Sequence, residues 1–481
     1  MIIEHIPSNL SEIKTQYCIV GSGAAGITLA LELEKKGFDV VILEAGNFEQ
    51  KSKIADEKVL ETGFPTEVEK RRFKDFGGST EAWGGWCTPL DESDFQAEEK
   101  IHYSGWPIKL SDLRPYYDRT TEILNLEYSF FENKKIFEME SEAQKIGSAF
   151  KLYQFSTPVT RFGQKYKEHI SRSNKITSYL NSPVVEMQMN AQGSVVEDLK
   201  VKSSTGLHTI KAKHFIFCCG SIENARLLLS FSRKNKTSIG LGHKFLGKGF
   251  MEHPNFSNVG TMMFYKKDPW SKLVNVNANG KRDHFFFQVS EAERKKHGWL
   301  NLRFKVYDVE HPLDPVDQKF YSLYTETLQR SFHPVQEIGL SCEQFCSDKN
   351  GIVLREDTDR LGLWNVNLNW ELTELDWKSY TESMEFFARK LPSLGLGFMK
   401  VNKDFLERKM APVGNSHQMG MTRMGESFKH GYVDKNLSVF GVSNLSVLGS
   451  SVFPTAGAAA PTMTITALSL RLADYLGTKN F

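Results

Sequence analysis

Three glycines and one acid carry the first recognisable chemistry in this 481-residue chain. Gly21, Gly23 and Gly26 form G-x-G-x-x-G within QYCIVGSGAAGITLALELEKKGFDVVILEAG, residues 16–46, and Glu44 follows 18 residues after Gly26. Gly21 permits a tight turn. Gly23 lets backbone approach a pyrophosphate, and Gly26 lets helix and strand pack closely. A carboxylate at Glu44 can accept hydrogen bonds from ribose hydroxyls. The chemistry is dinucleotide binding, and the motif alone does not separate FAD from NAD.

The elements that must hold these residues are legible around them. YCIV is a short apolar run, as a buried parallel strand should be. AGITLALELEKK reads as a helix, with Gly37 placed to end it, and DVVILEAG as a second strand carrying Glu44. Later, KHFIFCCGSIENARLLLS (213–230) reads as a strand running into Gly220 and then a helix, preceded by a hairpin-like stretch. Strands thus return after a long excursion, as in a two-part flavin-binding domain. Near the C-terminus, Pro461 suits the first position of a helix. TMTITALSLRLADYL, which follows it, is apolar around most of its circumference and so should be buried.

Composition excludes several other classes. The formal net charge is +2, which gives no reason to expect nucleic acid as a partner. No uncharged apolar run reaches about 18 residues, so no membrane span is expected. The first 16 residues lack a basic stretch followed by an apolar one, so no signal peptide is expected and the cytoplasm is the expected compartment. The six cysteines are expected to be reduced thiols. Cys342 and Cys346 lack a second ligand pair, and the 13 histidines are scattered, so no metal site is expected.

Five ordered segments resemble the glucose–methanol–choline (GMC) flavoprotein oxidoreductases. They are the glycine motif; RRFKDFGGSTEAWGGWCTPLDESDF (71–95); CCGSIENARLLLS (218–230); LGKGFMEHPN (246–255); and the C-terminal run from NSHQMG to ADYL (415–476). The resemblance implies an α/β fold, α+β overall: a Rossmann-like FAD-binding domain with a substrate-binding domain built on an antiparallel sheet. It implies FAD held by residues 1–110, 150–262 and 405–481, a connecting helical segment at 111–149, and a substrate domain at 263–404. The stretch GLWNVNLNWELTELDW (362–377) suits that antiparallel sheet. Besides Gly21, Gly23, Gly26 and Glu44, the resemblance implies FAD contacts at Ser22, Ala24, Ala25 and Ala45. It adds Gly77, Gly78, Ser79, Trp83, Gly84, Gly85, Trp86 and Val184. It ends with Cys219, Gly220, Asn224, Gly449, Ser450, Pro461 and Thr462. Where many relatives link flavin covalently through a histidine, this chain has Ala82, so FAD is expected to be non-covalent.

Family members typically oxidise alcohols, including sugars, by passing hydride to flavin N5. The hydroxyl proton needs a base, and a neutral imidazole suits that task. By resemblance the base is His417. Relatives place His or Asn opposite it; here the G-x-x-N-P-T stretch reads Gly457-Ala458-Ala459-Ala460-Pro461-Thr462. Ala460 cannot hydrogen-bond through its side chain. It is also a poor helix cap, which leaves the first-turn N–H groups and their partial positive charge to the flavin. The expected substrate is an alcohol, most readily a sugar or glycosylated metabolite. The electron acceptor would be oxygen, a quinone or a partner protein. Ala460 keeps two alternatives open, a non-redox flavoprotein lyase and a catalytically silent flavin-binding partner.

Overall fold

The computed structural model describes residues 1–48, 59–66, 68–131, 147–265, 283–309, 313–330 and 332–479. The motif strand Glu12–Val20 lies in the middle of an eight-stranded sheet. It pairs in parallel with Val40–Leu43 on one side and Gly206–Phe217 on the other. Its apolar end is buried from Tyr17 to Val20, as a strand covered on both faces requires. Beyond Gly206–Phe217 the sheet turns antiparallel through Val196–Ser203 and Val184–Met189, while Leu445–Val447 joins Gly206–Phe217 in parallel. The helix Ala24–Lys35 packs against the C-terminal helix Pro461–Gly477, whose apolar residues are buried nearly all round. The first and last segments of the chain therefore meet at one layer of a Rossmann-like fold.

A second eight-stranded sheet is antiparallel throughout its pairings. Its main order is Gly397–Val401, Pro254–Phe264, Gln336–Cys342, Leu302–Asp308, Asp283–Val289, Ser148–Phe155 and Trp86–Cys87. Strand alternation splits its side chains into two sets. Phe150, Phe256, Phe287, Phe304 and Leu340 join Trp377, Tyr380, Met384 and Phe387 of the helix Glu374–Ser393 in one apolar core. Tyr153, Phe286, Arg303, Lys305 and Ser341 alternate with that set and serve the opposite face. The strand Ser148–Phe155 contributes to this sheet, although 150–262 reads in sequence as part of the flavin-binding half.

One expectation is corrected. Trp364–Trp370 does not join the large antiparallel sheet; it forms a three-stranded sheet with Gly351–Thr358 and Val59–Gly63. Its Trp370 is fully buried against the core of the first sheet and meets Phe64 edge to face at 5.9 Å. The tail of the same stretch is helix. Thr373 caps it through its hydroxyl, and Asp376 returns the bond to the Thr373 N–H, a capping box.

Candidate active site

A cavity of about 580 Å³ opens where the glycine motif, the 78–86 loop and the C-terminal helix meet. The motif shapes one end of it. Gly21 adopts φ +100°, and a Cβ there would sit 2.7 Å from the Cys218 carbonyl oxygen. A Cβ on Gly26 would come within 2.0 Å of the Gly21 oxygen, so any side chain would separate helix from strand. Gly23 behaves differently: nothing lies within 4 Å of its would-be Cβ, and it caps the helix with no side chain of its own. The first turn of Ala24–Lys35 therefore presents bare backbone to the cavity, as a phosphate site needs. Glu44 lines the same end. Its Oε2 accepts from the Ser22 N–H at 3.0 Å and hydroxyl at 2.6 Å, and Oε1 accepts from the Gly46 N–H at 2.9 Å. Burial raises its proton affinity, against the pull of those bonds. Oε1, which accepts one bond, keeps a further lone pair for a ribose hydroxyl. These residues fit a dinucleotide.

Most residues assigned to FAD from sequence do line the cavity. These are Gly21, Ser22, Gly23, Ala24, Ala25, Glu44, Ala45, Gly78, Ser79, Trp83, Gly84, Trp86, Val184, Cys219, Gly220, Gly449, Ser450, Pro461 and Thr462, together with Ala82, His417 and Ala460. Four stand behind the wall. Gly26 is the packing glycine just described. Gly77 donates its N–H to the Ser22 carbonyl at 3.0 Å, and Gly85 packs on Val159 and Ser156. Asn224 pins the 219 turn, accepting from the Cys219 N–H at 2.8 Å and donating to the Ser451 hydroxyl at 3.0 Å.

His417 sits on a loop held from several sides. Its N–H donates to Glu252 Oε1 at 2.6 Å, and Met419 exchanges backbone bonds with Met251. Arg71 donates to the Gly414 carbonyl at 2.7 Å and the Ser416 hydroxyl at 3.1 Å. This antiparallel bridge brings His253 to His417. His253 Nε2 lies 2.9 Å from the Gly457 carbonyl, which can only accept, so Nε2 carries the proton. Burial above all, then Arg303, lowers the pKa of His253 to about 3, so the ring is neutral and its Nδ1 accepts. His417 Nδ1 is 2.8 Å away and must donate. That leaves His417 Nε2 unprotonated, on a residue that lines the cavity. Burial, His253, Arg303 and Lys305 together push the proton affinity of His417 well down, so it rests neutral.

Sequence reading missed His253 and Glu252. Both stand in LGKGFMEHPN, read there only as a connection between domains. Adjacent Glu and His beside a proline was the available signal, but their partner lies 164 residues away.

Ala460 precedes the helix Pro461–Gly477 and is 4% exposed. It packs with Tyr153, Phe286 and Trp86. Tyr153 donates its hydroxyl to the Ala458 carbonyl at 2.6 Å, tying the second sheet to the alanine stretch. The position at which the resemblance leads one to expect Asn or His is thus packed among aromatic side chains. Among the described residues no cluster of His, Cys, Asp or Glu could hold a metal ion, and no helix is long and apolar enough to cross a membrane.

Residues 347–469 match the family model described as GMC oxidoreductase, and residues 16–235 match that of FAD dependent oxidoreductase. The chain is 24% identical over 311 residues to the fructose dehydrogenase large subunit of Gluconobacter japonicus, covering 62% of this chain and 53% of that one. It spans about half the length of that relative. It is 22% identical over 541 aligned positions to 2-methyl-1,2-propanediol dehydrogenase of Mycolicibacterium austroafricanum, covering 96% and 95% of the two chains. Pyridoxine 4-oxidase from Mesorbium loti shares the fold, with a TM-score of 0.63 at 14% identity over 97% of this chain and 100% of that one. The chain is thus similar to the GMC oxidoreductases over residues 347–469 and to FAD-dependent oxidoreductases over residues 16–235.

Proposed function

We propose that this protein oxidises an alcohol group on a sugar or glycosylated metabolite, with His417 as the base. The observation that carries the reading is the His253–His417 pair. Its bonding leaves one ring nitrogen of His417 unprotonated, on a residue that lines the cavity, and fixes the tautomer from behind. A substrate hydroxyl donating to His417 Nε2 passes its proton there, a step worth about 10²–10⁴-fold when the base is positioned. FAD, when bound, supplies the hydride acceptor. Glu252 holds the His417 backbone while the ring takes the proton. Trp86, Tyr153, Phe286 and Ala460 form an apolar wall that keeps water from the reacting carbon.

FAD would be held by the Gly23 end of the helix Ala24–Lys35, by Ser22 and Glu44, by the 78–86 loop and by the start of Pro461–Gly477, without a covalent link because Ala82 offers no nucleophile. The named activities of two curated relatives, a fructose dehydrogenase subunit and a diol dehydrogenase, support the alcohol reading. The test is anaerobic mixing of the purified flavoprotein with a panel of sugars and polyols while the flavin band is followed. Bleaching by a panel member supports the proposal. Product without bleaching identifies a lyase, and silence across the panel favours a flavin-binding partner without turnover.

A further inference from the structure

The strand Leu302–Asp308 alternates strictly. Leu302 and Phe304 enter the apolar core under the helix Glu374–Ser393, and Arg303 and Lys305 belong to the opposite face. Arg303 is 6% exposed. Its Nη2 donates to the Ser341 hydroxyl at 3.1 Å, and that hydroxyl accepts from Asn415 Nδ2 at 2.9 Å, two residues before His417. The guanidinium carbon stands 4.6 Å from the Tyr153 ring centre and 5.2 Å from that of Phe286, the rings that pack on Ala460. Lys305 Nζ donates to Asn255 Oδ1 at 2.5 Å, two residues after His253. Both cations therefore border the histidine pair.

Neither meets a counter-charge among the described residues. Among the described residues no carboxylate lies within ion-pair distance of Arg303 or Lys305, and the buried Arg303 Nε has no hydrogen-bond partner. Lys151, on the same sheet face, shows the contrast: it meets Asp91 at 2.5 Å. Burying a cation without a counter-charge is costly, and an anion carried by a substrate would relieve that cost here. A guanidinium edge with an unused Nε–H is suited to two parallel bonds with a carboxylate or phosphate.

We propose that the alcohol substrate bears an anionic group, a carboxylate or a phosphate, recognised by Arg303 and Lys305 beside the His253–His417 pair. The proposal rests on the alcohol-oxidation reading and specifies its substrate class as a sugar acid or sugar phosphate. It also gives the two cations a part in catalysis. They depress the proton affinity of His417, and burial and Arg303 bring the Lys305 pKa down to about 8. An anion placed between them offsets that field, so His417 becomes a stronger base when the correct substrate arrives.

The test is equilibrium titration of the FAD-loaded protein with D-glucose, D-glucuronate and D-glucose 6-phosphate, read by the flavin difference spectrum. At least one anion is expected to bind roughly 10- to 100-fold more tightly than glucose, the worth of a charge-assisted bond, and the better of the two tells carboxylate from phosphate. Arg303→Gln and Lys305→Gln should each remove most of that advantage while FAD content stays unchanged. If Arg303→Gln fails to retain FAD, Lys305→Gln and Arg303→Lys carry the comparison. Equal binding of glucose and both anions, no binding of either anion, or an anion advantage that survives the substitutions overturns the proposal. The same samples separate it from the broader reading. An anion advantage without bleaching by any alcohol keeps the anion site and rejects alcohol oxidation. Bleaching by neutral sugars without an anion advantage does the reverse.

Discussion

His253 Nδ1 accepts a hydrogen bond from His417 Nδ1 at 2.8 Å, with the two rings nearly perpendicular at 89°. The Gly457 carbonyl behind His253 decides the direction of that bond, and so decides which nitrogen of His417 is left unprotonated. His253 is therefore a positioning residue. His253→Asn is expected to slow flavin reduction about tenfold or more, the worth of one directed hydrogen bond. Substrate affinity should change little, because His253 is buried behind His417. Rapid-mixing data over a substrate series separate the two quantities. A loss confined to affinity would show that His253 does not act through His417.

Glu252 links pH to the stability of the same loop. Its Oε1 accepts from the backbone N–H groups of His253 and His417, and among the described residues its buried Oε2 has no hydrogen-bond partner. Burial pushes its pKa from 4.5 up to about 7. The folded state thus holds this proton more tightly than the unfolded chain. The stabilisation is complete below about pH 4.5 and is lost as pH rises through 7. Glu252→Gln keeps the acceptor and cannot ionise. Its unfolding free energy should match wild type near pH 4.5 and exceed it by roughly 1–3 kcal/mol above pH 7. Denaturant unfolding at three pH values checks this, and a gap that closes as pH rises would contradict it.

Ala460→Asn places an amide in the wall formed by Tyr153, Phe286 and Trp86. Overpacking such a site costs about 1–3 kcal/mol. An improved helix cap returns only about 1 kcal/mol. The melting temperature should fall, and flavin reduction should shift in favour of small alcohols over the native substrate, since a donor near the developing alkoxide helps only where it can be reached. Reduction rates that rise together on large and small substrates would show that Ala460 is simply a lost catalytic group.

Ala82 lines the cavity at the end of the turn Gly78–Glu81. Acid precipitation of the holoprotein is expected to release all yellow chromophore to the supernatant. Colour retained in the pellet would point to a covalent link through another side chain.

The cofactor cradle was legible in sequence because its logic is local. Gly21, Gly23 and Gly26 act within one turn, and the strand and helix that flank them announce themselves by apolar pattern. Glu44 follows from the same unit. The surroundings of His417 were legible only as single residues. His417 stood out by resemblance, but the group behind it comes from a bridge between residues 251 and 419, which no spacing rule reveals. Arg303 and Lys305 are written plainly as alternation in LRFKVYD, yet that pattern is the same for a solvated face and for a face turned to a substrate. Trp364–Trp370 shows the converse failure: an apolar strand pattern is common to every buried sheet, so it could not say which sheet takes the strand.

If His417 Nε2 takes the substrate proton, removing the imidazole must slow the reaction. The most direct measurement is anaerobic flavin reduction by a substrate that bleaches the wild-type protein, compared in wild type and His417→Ala at matched FAD content. The variant should keep its FAD, and reduction should slow by about 10²-fold or more. Reduction at the wild-type rate would rule out His417 as the base and leave it a structural residue of the loop.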